Sequence, residues 1–302
     1  MKKYWLLLLC LIALQSGAAA LKLEPSYQVF EGEPVSVQSY IGKQPVYLKL
    51  WASWCRECRQ ELPSLQQAYE QYHDRIAMFA VNLNINETDN NIRRLYQQHK
   101  LTIPVVLDNN GSIASNFEFK GTPFHVLINR QGNVVYTTYK DDQILAEKLE
   151  LLAADKLDGE TKHKGTVSVN QQPADMRPAG TEFIYFSATW CDWYMKDLHP
   201  QMAENCTNAI HTVARLHQQY PEIPLQAYVT HLWTEATDVA EYRKKFAITY
   251  PLTLDQDNAR LQQFQANSFP TLIILKNGQE ITRLTRFEKP DITLEQIRRF
   301  LL

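Results

Sequence analysis

The sequence Trp51-Ala-Ser-Trp-Cys55-Arg-Glu-Cys58 lies directly after the apolar run Val46-Tyr-Leu-Lys-Leu50 and directly before a helix-like stretch over residues 59–72. Two cysteines three positions apart therefore open a helix at the end of a strand. The free N–H groups and the positive dipole end of a helix stabilise an anion, which lowers the pKa of the first cysteine and makes it an attacking thiolate. A second cysteine one turn later can displace whatever the first has captured. The pattern predicts dithiol–disulfide exchange.

Residues downstream of this motif extend the pattern. Glu61 and Pro63 follow Cys58 on the same helix, and Thr122-Pro123 precedes another apolar strand, Phe124-His-Val-Leu-Ile128. Together with the motif they resemble the thioredoxin superfamily, specifically its TlpA/ResA-like periplasmic branch. That resemblance implies a central mixed sheet flanked by helices. It also implies a cis peptide bond before Pro123, beside the reactive sulfur, and a cis proline normally marks a defined turn.

The resemblance also implies roles for the site residues. Cys55 is expected to be the nucleophile and Cys58 the resolving thiol, while Thr122-Pro123 would hold the backbone of a client protein. Glu61 matches the glutamate that the branch uses near its cysteines, where a carboxylate can take the proton that Cys58 must lose. The alternative for Glu61 is an ordinary acid that pairs with the helix dipole. Trp54, beside Cys55, is the residue that we expect to contact a partner, with ordinary packing as its alternative.

Lys49 is unusual because it lies inside the apolar strand, at the place where thioredoxins carry a buried aspartate. Near the site its positive charge would favour the Cys55 thiolate. The interpretation that we favour is instead that the long side chain extends its ammonium group to the edge of the sheet.

No metal ion or other cofactor is expected. A CxxC motif can form half of a zinc site, but the sequence has no second CxxC and no paired histidines at ligand spacing. His125, two residues after Pro123, invites a copper site beside the cysteines. The copper-chaperone relatives of the superfamily have a longer cysteine spacing, which disfavours that interpretation.

The N-terminus predicts export. Lys2 and Lys3 supply positive charge, residues 5–14 are apolar, and Gly17-Ala-Ala-Ala20 offers small residues for cleavage after Ala20. The apolar run is short for a membrane span, so residues 1–20 are expected to be a cleaved signal peptide that takes Cys10 with it. Export and disulfide chemistry favour the periplasm. The alternative is an anchor that holds the chain on the outer face of the inner membrane.

Composition excludes some partners. Removing Lys2 and Lys3 leaves 29 of the 31 basic residues against 33 acidic ones, a formal charge of −4. This charge is spread along the chain without a basic block, so nucleic acid is not an expected partner. About 280 residues exceed what one small core usually organises, which favours two domains.

An internal repeat supports that division. Two pairs of prolines in similar apolar stretches share one offset of 147 residues: Pro104 with Pro251, and Pro123 with Pro270. Cys55 and Cys191 also stand at the ends of two similar apolar stretches, but they are only 136 residues apart. Eleven residues are therefore extra in the second half. They are expected near residues 200–224 as about three additional turns of an amphipathic helix.

These patterns predict an α/β chain with two tandem thioredoxin-like domains, each a central mixed sheet flanked by helices. Residues 21–154 would form the first domain, residues 155–180 a linker with a leading strand near 165–170, and residues 181–302 the second domain. Short strands are expected within residues 21–45. The remaining predictions for the first domain are strands near 46–52, 76–83, 124–129 and 133–138, and helices near 56–73, 88–99 and 141–153.

The second site is degenerate. It reads Cys191-Asp-Trp-Tyr194, so a tyrosine occupies the resolving position. A lone cysteine can trap a partner but cannot release it by the usual second attack, which predicts a non-catalytic scaffold or docking module.

Cys206 leaves two interpretations open. An unbroken helix from Asp192 would put Cys206 about 22 Å from Cys191, beyond disulfide reach, and would leave a buried core thiol. A helix break at His199-Pro200 would fold the chain back and permit a Cys191–Cys206 disulfide.

The leading expectation for function is an envelope thiol–disulfide oxidoreductase. The resemblance to the TlpA/ResA-like branch implies that it reduces protein disulfides and is itself kept reduced by a membrane-bound electron donor. A disulfide oxidase or isomerase is an alternative, because the Arg56-Glu57 spacer does not translate into a reduction potential. The non-enzymatic alternative is a client-binding protein. A peroxidase is disfavoured, since Ala52 and Ala188 stand where peroxide-reducing relatives have a threonine. The oligomeric state is not predicted.

Overall fold

The computed structural model describes residues 21–159, 180–256 and 258–301. The predicted signal peptide and the predicted strand near 165–170 lie outside these residues. Within the described residues the chain forms a seven-stranded sheet and a five-stranded sheet, each mixed and each flanked by helices. Two tandem sheets confirm the predicted fold class. No helix among the described residues is both long enough and apolar enough to span a membrane.

The first sheet has the strand order β2-β1-β5-β4-β3-β6-β7. Its strands are β1 (Tyr27–Val29), β2 (Gly32–Val35), β3 (Val46–Trp51), β4 (Ala77–Asn82), β5 (Val105–Leu107), β6 (Phe124–Ile128) and β7 (Val134–Thr138). The helices that accompany it are α1 (Arg56–Gln60), α2 (Leu62–Tyr72), α3 (Asp89–His99) and α4 (Gln143–Ala153). Strand β3 runs parallel to β4 and antiparallel to β6, and all six of its residues are buried. A strand covered on both faces reads as a continuous apolar run, as this one does.

The second sheet has the order β10-β9-β8-β11-β12. Its strands are β8 (Thr181–Ser187), β9 (Leu225–Thr230), β10 (Leu252–Asp255), β11 (Thr271–Lys276) and β12 (Gln279–Leu284). The helices around it are α5 (Cys191–Tyr194), α6 (Pro200–Gln219), α7 (Ala236–Lys245), α8 (Ala259–Gln263) and α9 (Pro290–Arg298). From β8 onward the elements repeat the order that begins at β3.

Most predicted elements of the first domain are confirmed, with two corrections. The predicted helix over 56–73 is wrong as a single helix, because it divides at Glu61 into α1 and α2. Pro63, in the first turn of α2, has no N–H to continue the hydrogen bonds of α1. Strand β5 was not predicted. It is three residues long, too short for an apolar period to be recognised.

The lengthened helix of the second repeat is confirmed. Helix α6 has 20 residues, against 11 in its counterpart α2. Cys206, Ala209, Val213 and Leu216 are buried along one face of α6. The cis peptide bond expected between Thr122 and Pro123 is present, and the repeat-equivalent Phe269–Pro270 bond, for which no cis state was predicted, is cis as well.

Candidate active site

The two cysteines of the first repeat lie where β3 gives way to α1. Cys55 is the N-cap residue of α1, and its sulfur accepts a hydrogen bond from the Cys58 N–H at 3.2 Å. The two residues are joined by a disulfide, with their Cα atoms 5.2 Å apart. Neither cysteine has any exposed surface. The structure therefore holds the pair in its oxidised form, covered from solvent.

The cis-proline turn lies at the same end of the sheet. Phe124, which follows Pro123, pairs with Leu50 near the end of β3. This register places Thr122 and Pro123 beside the start of α1. The Thr122 hydroxyl is buried and makes no hydrogen bond within the described residues.

A buried cluster of ionisable side chains lies on the strand that leads to the cysteines. Lys49 on β3 is directly opposite His125 on β6, and both are buried. Lys49 forms an ion pair with Glu61 at the junction of α1 and α2, and His125 Nε2 lies 3.4 Å from the same Glu61 oxygen. The Tyr47 hydroxyl is 2.7 Å from His125 Nδ1. The expectation that Lys49 reaches the sheet edge is wrong, because Glu61 supplies a counter-charge inside the protein.

Burial and pairing act together on the charges of this cluster. Burial lowers the pKa of Lys49, and Glu61 opposes that shift. Burial alone would raise the pKa of Glu61, but contacts with His125 and Lys49 outweigh it and hold the pKa below its usual value. Burial and the Lys49 charge lower the pKa of His125. At neutral pH Glu61 is therefore a carboxylate beside a neutral imidazole.

Trp54 contacts the second repeat. Its indole is 1% exposed, and its N–H donates to the Ile85 carbonyl at 2.6 Å. The ring stacks on Trp190, with ring centroids 5.1 Å apart. Trp190 donates its own indole N–H to the Leu232 carbonyl at 2.7 Å, which is the repeat-equivalent hydrogen bond. The partner that Trp54 meets in this structure is thus its own counterpart.

Cys191 and Cys206 are paired as a disulfide in the structure, with Cα atoms 6.0 Å apart. The unbroken helix on which a free Cys206 thiol depended is absent from this region, since α5 ends at Tyr194 and α6 begins at Pro200. His199, with φ −142° and ψ 66°, reverses the chain between them. Both cysteines are buried.

Loop contacts join the two repeats symmetrically. Asn86 donates its backbone N–H to the Asn267 carbonyl at 2.8 Å, and Trp233 donates its N–H to the Lys120 carbonyl at 2.6 Å. Asn86 and Trp233 are 147 residues apart, as are Lys120 and Asn267. The two repeats therefore meet as the subunits of a two-fold dimer do, with the same patch used on both sides.

Tyr194 reaches from the second repeat into the first active site. Its hydroxyl oxygen accepts the Arg56 backbone N–H at 3.0 Å, and the hydroxyl donates to Glu57 Oε2 at 3.0 Å. Burial raises the pKa of Tyr194, so the hydroxyl keeps its proton at neutral pH. The residue that replaces a resolving cysteine thus binds the spacer between Cys55 and Cys58.

A cavity of about 850 Å³ lies between the repeats, beside the cis-proline turn. Apolar side chains from both repeats line it, among them Ile85, Phe119 and Trp233. Sequence reasoning missed this cavity and the contacts of Tyr194 and Trp233, because no pattern within one repeat reveals which surfaces meet.

Known proteins are similar to the part of the chain that contains the first repeat. The profile described as AhpC/TSA family matches residues 17–137. "Sporulation thiol-disulfide oxidoreductase A" of Bacillus subtilis is 31% identical over 155 residues, which are 48% of this chain and 92% of the relative. "Thiol-disulfide oxidoreductase ResA" of Bacillus cereus is 28% identical over 116 residues, 38% of this chain and 66% of the relative.

The chain also resembles solved structures over a similar share of its length. The crystal structure of StoA from Bacillus subtilis is 26% identical and covers 46% of this chain and 98% of its own, with a TM-score of 0.38. The family match ends before β8, so it concerns the first sheet. Since the 31% identical relative from Bacillus subtilis is matched over 92% of its length, the chain belongs to the thioredoxin-like AhpC/TSA family.

Proposed function

We propose that this chain is an envelope thiol–disulfide oxidoreductase that reduces disulfides of client proteins through Cys55 and Cys58. The observation that carries the proposal is the placement of this pair at the start of α1, beside the cis Thr122–Pro123 turn. The relatives named thiol–disulfide oxidoreductases support the same chemistry.

The reaction starts from the dithiol form. The Cys55 thiolate attacks one sulfur of a client disulfide, so that a Cys55–client bond forms and the client's second sulfur leaves as a thiolate. Cys58 then loses its proton and attacks Cys55. This second step forms the Cys55–Cys58 disulfide of the structure and releases the client dithiol. The client gains two electrons and the chain loses two.

Glu61 is the proposed proton acceptor for Cys58. It lies three residues after Cys58, and contacts with His125 and Lys49 keep its pKa low, so Glu61 is an ionised carboxylate with room for a proton, although the low pKa makes it a weak base. Lys49 and His125 are positioning residues in this scheme, since they act through Glu61. Thr122 and Pro123 would hold the client backbone in an extended form.

Regeneration requires an electron source outside the chain. The charged and apolar N-terminal segment favours export, and an exported reductase needs a donor that passes electrons across the membrane. We therefore place the chain in the periplasm with a membrane-bound electron donor as a partner. A disulfide oxidase would use the same cysteines to take electrons from the client. A disulfide isomerase would use them with no net transfer of electrons.

We further propose residues 21–154 and 181–302 as the two domains. In this arrangement the second domain docks on the first through the loops around Asn86 and Trp233. A client must therefore displace part of that contact to reach Cys55.

The test uses the mature full chain and its two single serine variants. Cys58→Ser should accumulate mixed disulfides between Cys55 and clients in envelope extracts, because the second attack is lost, whereas Cys55→Ser should accumulate none. The adducts are identified by non-reducing electrophoresis and mass spectrometry. If Cys55→Ser left reduction of a model protein disulfide unchanged, a client-binding protein would be the better assignment.

A further inference from the structure

The two disulfides of the chain occupy equivalent places on opposite sides of the repeat contact. Cys55 follows Trp54, Cys191 follows Trp190, and these two indoles stack on each other. A cluster of buried side chains includes all four cysteines. The cysteine motif of the first repeat and the matching motif of the second repeat therefore lie against each other at the contact between the repeats.

Further contacts hold this arrangement in register. The Tyr194 hydroxyl is bound to the residue after Cys55, through the Arg56 N–H at 3.0 Å. Phe269, which precedes the second cis proline, donates its N–H to Asn86 Oδ1 at 2.6 Å. The contact thus includes residues that flank Cys55 and Cys191, together with Gly121 and Phe269 from the two cis-proline turns.

We propose that the Cys191–Cys206 disulfide is an internal redox partner of Cys55 and Cys58, so that the second repeat exchanges electrons with the first. This inference rests on the proposed oxidoreductase function. It assigns the resolving role of the second site to Cys206 on α6 instead of position 194, where Tyr194 serves as a docking group. The second repeat is then a redox domain with a resolving thiol distant in sequence.

The exchange balances without an external reactant. The Cys55 thiolate attacks Cys191, a Cys55–Cys191 bond forms, the Cys191–Cys206 bond breaks, and Cys206 leaves as a thiolate that takes up a proton. Cys58 then gives up a proton and attacks Cys55, which forms the Cys55–Cys58 disulfide and releases Cys191 as a thiolate. Two electrons move from the first dithiol to the second disulfide, and the reaction is reversible.

Burial favours this internal route. Cys55 and Cys58 are 0% exposed and Cys191 and Cys206 are each 1% exposed, so exchange between the two pairs is the route that needs no external thiol to enter the contact. Cys191 is the attacked sulfur because it is adjacent to Trp190 at the contact, whereas Cys206 lies within the core face of α6.

The decisive variant is Cys58→Ser with Cys206→Ala, in the mature full chain. It retains only Cys55 and Cys191, and it cannot resolve a bond between them. The matched control is Cys55→Ser with Cys206→Ala, which retains Cys58 and Cys191. Both variants are oxidised with a glutathione buffer at low protein concentration, quenched with acid, alkylated and mapped without reduction. We expect the Cys55–Cys191 peptide in most chains of the first variant, and little Cys58–Cys191 peptide in the control.

A second measurement does not depend on trapping. The fully reduced wild type and the Cys55→Ser/Cys58→Ser variant are mixed with oxidised glutathione, and formation of the Cys191–Cys206 disulfide is followed by timed quenching. In the variant that lacks Cys55 and Cys58, the Cys191–Cys206 disulfide should form at least about tenfold more slowly than in the wild type. Equal rates, or a first variant that yields only glutathione adducts, would overturn the proposal. If Cys58→Ser still captures clients in that case, the proposed client chemistry stands and only the internal relay falls.

Discussion

Trp54 and Trp190 stack on each other with ring planes 25° apart, and each precedes the first cysteine of its repeat. Each indole also donates its N–H to the carbonyl of an equivalent loop residue, Ile85 or Leu232. The two repeats thus build the same local structure and cover each other with it. Access to Cys55 therefore depends on how often the contact between the repeats opens.

A substitution at Gly121 tests whether access to Cys55 depends on opening of the contact between the repeats. This glycine lies directly before the cis-proline turn, and a Cβ atom at this position would overlap the Trp233 indole of the second repeat. Gly121→Ala should destabilise the contact by roughly 1–3 kcal/mol, the usual cost of overpacking. The reduced variant should then alkylate at Cys55 about tenfold faster, because 1.4 kcal/mol changes an equilibrium tenfold. Quenched alkylation followed by peptide mapping measures the rate.

The control removes the obstructing ring. Trp233→Ala in the Gly121→Ala background eliminates the overlap, although it also loses the aromatic contacts of Trp233 with Trp54 and Trp190. If the alanine acts only by distorting the cis-proline turn, the effect of Gly121→Ala will be the same with or without Trp233. Opening of the contact predicts instead a smaller effect in the Trp233→Ala background.

Tyr194→Phe separates the hydroxyl of Tyr194 from its ring. The phenylalanine keeps the ring near Trp190 and Trp233, but the Arg56 N–H and the Glu57 carboxylate lose their partner. Each hydrogen bond is worth roughly 0.5–1.5 kcal/mol, so loss of both should let Cys55 alkylate roughly fivefold to a hundredfold faster. Trp193→Phe is the matched control, because the Trp193 side chain is 59% exposed. Equal rates for the two variants would show that the hydroxyl does not hold the contact.

The sequence predicted the internal structure of each repeat much better than the relation between repeats. Strand β3 and the CxxC motif follow from a local apolar run and the cysteine spacing, the cis proline follows from the family resemblance, and the 147-residue offset located the second copy. Trp233 and Asn86 carry no such signal. Their equivalence is visible only once the loops of both repeats meet.

Lys49 shows a second reason why a prediction from the sequence was wrong. A lysine in an apolar strand reads as a side chain that must reach water, because an isolated buried ammonium is costly. Its counter-charge, Glu61, lies on a different element, at the junction of α1 and α2, and no pattern within the strand indicates that the two side chains meet.

Because Lys49 and Glu61 form a buried ion pair, we expect substitutions of the two residues to have non-additive effects on the free energy of unfolding. Glu61→Gln removes the counter-charge of a fully buried ammonium and should lower the free energy of unfolding by roughly 3 kcal/mol or more. Lys49→Met with Glu61→Gln removes both charges, so the double variant should lose less than the sum of the two single variants. Urea unfolding of the wild type, both single variants and the double variant gives the coupling as a double-mutant cycle. Additive losses would mean that the two side chains do not stabilise each other.

Asp108 predicts a pH dependence. It accepts the backbone N–H groups of Ile113 and Ala114, and burial raises its pKa to about 6. A raised folded-state pKa stabilises the protein fully below the unfolded value near 4, and this stabilisation is lost as pH rises through about 6. Asp108→Asn cannot titrate. The stability advantage of the wild type over Asp108→Asn should therefore shrink by roughly 3 kcal/mol between about pH 4 and pH 7, since one pKa unit corresponds to 1.36 kcal/mol.

Asp255 provides an internal comparison for this effect. It is the repeat-equivalent residue, it accepts the N–H groups of Arg260 and Leu261, and burial raises its pKa as well. Asp255→Asn should show the same direction of change when unfolding is measured in urea at both pH values. Other titrating groups are common to all three proteins and cancel in the differences. A wild-type advantage that stayed constant or grew toward pH 7 would show that the two backbone N–H groups outweigh burial and that the Asp108 pKa is not raised in the folded chain.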